Sequence, residues 1–109
     1  MSETALSDIS NHEDDQTWWY LRLYIAGKSP RSLHALANLT RLCEDHLAGH
    51  YEIEIIDLVE RPSLARGDDI LAIPTLVRRL PEPQRRIIGD LSDTQRVLAG
   101  LQLQPALPQ

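Results

Sequence analysis

The chain has 109 residues, enough for one domain with a real core and too few for two. Its apolar and charged fractions, 42% and 25%, exclude a disordered or collagen-like chain, and no stretch is apolar enough to span a bilayer. Charge is lopsided: residues 1–17 hold Glu3, Asp8, Glu13, Asp14 and Asp15 with no Lys or Arg, which accounts for the whole net charge of -5, so the balanced remainder has no electrostatic reason to seek nucleic acid or an anionic membrane.

Residues 1–17 are polar and aperiodic and read as a flexible acidic tail, because they offer too little apolar burial to offset their ordering entropy. Met1 to Gln16 lacks the basic and apolar regions of a secretory signal, which sets the expectation of a cytoplasmic protein. From Trp18 to Ala26 the residues alternate, with Trp19, Leu21, Leu23 and Ile25 on one face and Trp18, Tyr20, Arg22 and Tyr24 on the other, the pattern of a strand. Gly27 ends it. Ser29 and Pro30 supply an N-cap and a first-turn proline for a helix whose apolar stripe runs through Leu36, Leu39, Leu42, Cys43 and Leu47 and stops near Gly49. Tyr51 to Leu58 reads as a second strand, and strand, helix, strand predicts a parallel pair with a right-handed crossover.

After Arg61-Pro62, residues Ser63 to Asp69 suit a brief helix or turn. Leu76 to Leu80 and Gln84 to Ile88 then read as two short strands joined by the turn Pro81-Glu82-Pro83. Ser92-Asp93-Thr94-Gln95 fits a capping box, with Ser92 as N-cap, and Val97, Leu98 and Leu101 give the last helix an apolar side. Residues 104–109, with two prolines, read as a frayed end, which leaves 18–103 as the domain.

The chemistry legible in this pattern is sparse. Cys43 is the only cysteine, which excludes an internal disulfide and a CxxC pair, and its place on the helix stripe reads as a small buried hydrophobe. His46 and His50 share helical spacing with no third ligand beside them, so neither a metal nor any other cofactor is expected. Arg78, Arg79, Arg85 and Arg86 flank the proline turn, either as charges that discourage edge pairing or as an ion-pairing surface for an acidic partner or sister subunit. Asp57, Glu60 and Arg61 fall at the C-terminal end of the second strand, the edge where open α/β layouts bind.

A βαβ unit followed by ββα, with Pro74 just before the third strand, is the thioredoxin pattern, in which that proline is usually cis. The loop where a redox enzyme carries its cysteines is Gly27-Lys28-Ser29-Pro30, and without a thiol it cannot exchange disulfides. A transferase using the Ser29 hydroxyl is the weaker reading, since capping already explains that serine.

Leu23-Tyr24-Ile25-Ala26-Gly27 with Ser29-Pro30 and Ser32, Ile56-Asp57-Leu58, Ile70 to Leu76, and above all Ile87-Ile88-Gly89-Asp90-Leu91-Ser92-Asp93 closely resemble the KaiB family, from about Trp18 to Leu103. The resemblance implies a non-catalytic clock regulator that docks on the N-terminal ATPase ring of a KaiC-like hexamer. It also implies metamorphism, with a resting homo-oligomer, dimer or tetramer, and a thioredoxin-like monomer that binds. Carried over, partner contact falls to Asp57, Glu60, Arg61 and Pro62, and fold switching to Pro74, Pro81, Pro83, Gly89 and Asp90. Where the clock proteins carry Lys before Asn-Pro, this chain has Glu60-Arg61-Pro62, and the acidic extension is unusual. Both departures point to a non-cyanobacterial system, and a second implied role is an adaptor in sensor histidine kinase or stress-response signalling.

Overall fold

Alternation in the first strand gives it two faces, and what covers each face sets the architecture. The computed structural model describes residues 17–67 and 69–103. The expectations for the two chain ends fall outside these residues, apart from Thr17.

Strand β1 (Trp19–Ile25) runs parallel to β2 (Tyr51–Asp57), in register from Trp19 opposite Tyr51 to Ile25 opposite Asp57. Helix α1 (Pro30–His46) makes the crossover. Ser29 caps it as the sequence predicts, its hydroxyl accepting from the Ser32 N–H at 3.2 Å, and Pro30 occupies the first turn, where its missing N–H costs nothing. At the other end the Leu47 N–H donates to the Cys43 carbonyl, and Gly49, at φ +81, turns the chain into β2.

A 3-10 turn over Pro62–Arg66 fulfils the expected short element. Strand β3 (Thr75–Leu80) then pairs antiparallel with β1, and β4 (Arg85–Ile88) pairs antiparallel with β3, giving the order β2-β1-β3-β4. The Ile73–Pro74 bond is cis, and so are the Leu80–Pro81 and Glu82–Pro83 bonds of the turn. Helix α2 (Thr94–Leu101) completes the ββα unit.

Both helices lie on one face of the sheet. Trp19, Leu21 and Leu23 of β1, Leu76 of β3 and Ile87 of β4 pack against Ala35, Leu39, Leu42 and Cys43 of α1 and Val97, Leu98 and Leu101 of α2. Burial of each such leucine is worth about 1.5–3 kcal/mol, so this aliphatic layer dominates the stability. The opposite face is covered only in part: Tyr24, Ile56 and Val77 are buried under Leu58, Leu64 and Ile70 of the connection between β2 and β3.

Two expectations need correction. Helix α2 is capped by Asp93, not Ser92: the Asp93 carboxylate accepts from the Arg96 N–H at 3.2 Å. Ser92 is engaged one step earlier, donating its N–H to the Asp90 carboxylate at 3.1 Å while Leu91 takes a φ of +66, so an Asx turn delays the helix by a residue. Arg78 also leaves the predicted surface cluster. It is 3% exposed on the helix side of β3, donating to the Leu101 carbonyl and, at 2.6 Å, to the Pro83 carbonyl, with its guanidinium 5.4 Å from the centre of the Trp19 ring.

Candidate partner-binding edge

The residues with expected contact roles gather at one end of the sheet, where β1 and β2 finish and β3 begins. Asp57 closes β2 and organises this end: one carboxylate oxygen accepts from the Gly27 and Val59 N–H groups, each at 2.9 Å, and its carbonyl accepts from the Glu60 and Arg61 N–H groups. Gly27 sits at φ +59, a region a side chain rarely enters, which lets its N–H turn toward Asp57. Asp57 therefore ties the β1 exit loop to the β2 exit turn and leaves Glu60, Arg61 and Pro62 exposed beyond it.

The turns at this end also expose apolar side chains. Val59 is 70% exposed and Leu71 is 87% exposed, with Ile73 partly exposed before Pro74. Of the five residues expected to matter for fold switching, Pro74, Gly89 and Asp90 come together here: the Gly89 N–H donates to the Pro74 carbonyl at 3.0 Å, and the Asp90 carbonyl accepts from the Asn38 amide of α1 at 2.8 Å. Gly89 has a φ of +124. Pro81 and Pro83 lie at the far end of the hairpin, remote from this group.

The loop from Gly27 to Ser32 holds hydroxyls and no thiol. The Ser29 hydroxyl donates to the Ser32 hydroxyl at 2.9 Å, and the latter accepts from the Ala26 N–H at 3.1 Å, so both oxygens serve the helix start. Cys43 is fully buried in α1, and desolvation, with Glu44 adding to it, pushes its thiol up to about 12, far from a reactive thiolate. Among the described residues no group of three or more His, Cys, Asp or Glu could hold a metal ion, and no helix is long and apolar enough to cross a membrane.

Sequence reasoning missed a polar network on the second sheet face. The Tyr20 hydroxyl donates to Glu54, and Arg22 pairs with the same carboxylate at 3.0 Å. The Tyr20 hydrogen bond, more than the Arg22 charge, holds the Glu54 carboxyl below its usual range. The signal was present in the alternation of Tyr20, Arg22 and Tyr24. It needed the β1–β2 register, which sets Arg22 opposite Glu54, to be read.

The KaiB domain family model matches residues 22–103. The chain is 49% identical over 85 residues to the circadian clock protein KaiB3 of Synechocystis, covering 78% of this chain and 83% of that one. It is 51% identical over 85 residues to the circadian clock oscillator protein KaiB of Prochlorococcus marinus, covering 78% and 71% respectively. Among solved structures, the N-terminal domain of Synechococcus elongatus SasA superposes with a TM-score of 0.64 at 20% identity, covering 99% of this chain and 97% of that one. Chloroplastic thioredoxin z gives 0.63 at 20% identity, covering 89% and 88%. At such identity these structures establish the fold alone, which is thioredoxin-like. Sequence and fold together identify the chain as a member of the KaiB family of circadian clock proteins.

Proposed function

We propose that this protein is a non-catalytic timing regulator that works in the cytoplasm by docking on a KaiC-like hexameric ATPase and modulating its phosphorylation cycle. The observation that carries this reading is the edge beside the Gly27–Pro30 loop. It keeps the thioredoxin layout, replaces reactive thiols with hydroxyls engaged in capping, leaves Val59 exposed next to the charged Glu60 and Arg61, and leaves Leu71 exposed in the chain leading to β3. An exposed apolar surface rimmed by charge favours association over chemistry. Glu60, Arg61 and Pro62 make the contact in this reading, and Asp57 positions them.

The segment from Pro74 through Pro81, Pro83 and Gly89 to Asp90 is the part that rearranges between a resting homo-oligomer, dimer or tetramer, and the thioredoxin-like binding state. If the binding state is the minor one, apparent affinity falls in proportion to its population, and association is slow. The test is time-resolved size-exclusion chromatography of the protein with a KaiC-type hexamer from the same organism and ATP. Slow growth of a stoichiometric complex, weakened by Arg61→Ala, supports the proposal; no complex after a day overturns it.

The likeness to the SasA N-terminal domain over nearly the full chain favours one other reading, a permanently thioredoxin-like adaptor in histidine kinase or stress-response signalling. A single set of backbone amide resonances at equilibrium, with no complex on the hexamer, selects that adaptor.

A further inference from the structure

Two like charges meet in the middle of the hairpin, on the helix side of the sheet. Arg78 of β3 and Arg85 of β4 stand directly opposite each other in the register, and alternation with Leu76 and Ile87 sets both on the face that the helices cover. Opposite partners on one face of an antiparallel pair have Cβ atoms about 4.5–5.5 Å apart, and like charges so placed destabilise the pair. Burial, and then the charge of Arg85, pull the Arg78 pKa below its ordinary value, and no described carboxylate acts against them. Neither guanidinium forms an ion pair with a described residue.

The groups that do meet Arg78 are neutral. At 3% exposure, it gives its terminal nitrogens to the Leu101 and Pro83 carbonyls and sets its guanidinium against the Trp19 ring. The Leu101 carbonyl belongs to the last turn of α2, whose end carries about half a negative charge, a fraction of what two guanidiniums require. The Arg78 Nε is buried with no hydrogen-bond partner among the described residues. A buried donor left unmade carries its full desolvation cost, and buried charges are ordinarily paired. Arg85 is the accessible member of the pair, exposed on the edge strand β4.

The donors select the ligand. Arg85 offers a two-pronged fork and Arg78 adds its Nε–H, so the complement is three acceptor oxygens and close to two negative charges. A carboxylate has two oxygens and one charge. A phosphate group has the oxygens and carries about 1.5–2 negative charges at pH 7. We propose that Arg78 and Arg85 form a binding site for a phosphate-class oxyanion, with Arg85 as the exposed clamp and Arg78 as the buried anchor. Trp19, Leu101 and Pro83 occupy the other surroundings of Arg78, so the ion enters past Arg85. Once bound, it turns a repulsive cross-strand pair into a bridge and holds the hairpin closed, so oxyanion concentration sets the stability of this half. The site is remote from the Asp57 to Pro62 edge, because β2 and β4 are opposite edges of the sheet, and it rests on neither functional reading.

The test titrates the full chain with inorganic phosphate and follows the arginine Nε–H resonances, with ionic strength held constant by sodium chloride so that screening does not change. The expected result is a saturable shift of both the Arg78 and the Arg85 signals, with slower hydrogen exchange in β3 and β4. Arg85→Gln, at an exposed side chain, is expected to raise the dissociation constant about tenfold or more. Arg79→Gln, next to Arg78 but on the opposite face, leaves it unchanged. Phenyl phosphate titrated in parallel identifies the source: saturation extends the ligand to phosphorylated molecules, and its failure beside inorganic phosphate restricts the site to the free ion, with the site upheld in both cases. An Arg78 signal that phosphate does not move, or a response that Arg85→Gln does not weaken, overturns the proposal. A water contact at the Arg78 Nε–H that survives saturation overturns it too, and assigns that donor to a buried water.

Discussion

The βαβ half and the ββα half of this protein are built to different standards. In the first, two seven-residue strands pair without interruption, a 17-residue helix spans them, and the contacts are aliphatic and continuous. In the second, strands of six and four residues and an eight-residue helix are joined through segments holding Pro74, Pro81 and Pro83 and a left-handed residue at Leu91. Besides its share of the aliphatic layer and the β1–β3 ladder, it carries discrete polar ties, Arg78 to Leu101 and Pro83 within it and Asn38 to Asp90 across to the first half. Stability that comes from a layer is distributed; stability that comes from ties is concentrated in a few groups. Difference of this kind places local opening in the second half.

Four substitutions test that contrast, beginning with the largest effect. Leu39→Ala removes a fully buried side chain from the shared layer, with an expected cost of about 2–5 kcal/mol, read as a lower urea midpoint for the whole molecule. If β1 and α1 kept their amide protection while the hairpin lost it, the layer would not be the common foundation described here. Arg78→Ala removes charged hydrogen bonds worth about 1.5–3 kcal/mol each, partly offset by relief of burying a cation. Hydrogen exchange is expected to quicken in β3, β4 and α2 and to stay unchanged in β2; uniform acceleration would erase the distinction between the halves.

Gly89→Ala comes next, at about 1–3 kcal/mol. A methyl group there meets nothing closer than the Arg96 guanidinium at 3.9 Å, so the cost is in the backbone at φ +124 and not in space. Equal stability of wild type and variant in denaturant titration would show that the loop relaxes freely. The smallest effect is that of pH on Cys43. Burial raises its pKa from 9.0 to about 12, so the unfolded chain loses its proton first, and the thiol's contribution is complete below pH 9 and fades as pH climbs toward 12. The stability gap between the native chain and Cys43→Ala is expected to narrow over that interval. A gap that stayed constant would mean that the thiol ionises equally easily in both states.

Much of the first half was legible before the structure because its signals are local. Alternation from Trp19 to Ile25 and the Ser29-Pro30 start state their own outcome. In the second half, local signals mislead where tertiary partners intervene. Arg78 reads as a surface charge on a short strand, yet the Leu101 and Pro83 carbonyls and the Trp19 ring draw it inward, and none of these lies near it in sequence apart from Pro83. Ser92 fits a capping box on paper, but the Asp90 carboxylate takes its N–H first. At the candidate edge, the sequence reads Asp57 through Pro62 as one local turn, while the pairing of Gly89 with Pro74 emerges only once β3 and β4 are side by side.

Arg78 has a kinetic consequence. Its guanidinium has two carbonyls and an aromatic face for company, Arg85 stands opposite on β4, and the Nε atom has no hydrogen-bond partner. Burial, and then Arg85, lower its pKa, which marks how poorly the interior compensates the charge. Once either carbonyl lets go, a cation remains in a dry layer, and the nearest comfortable position is full contact with water. Intermediate openings are therefore the least favourable ones. The hairpin behaves like a snap fastener, shut or fully released, and its amides should exchange together, at one rate, rather than fraying inward from the turn.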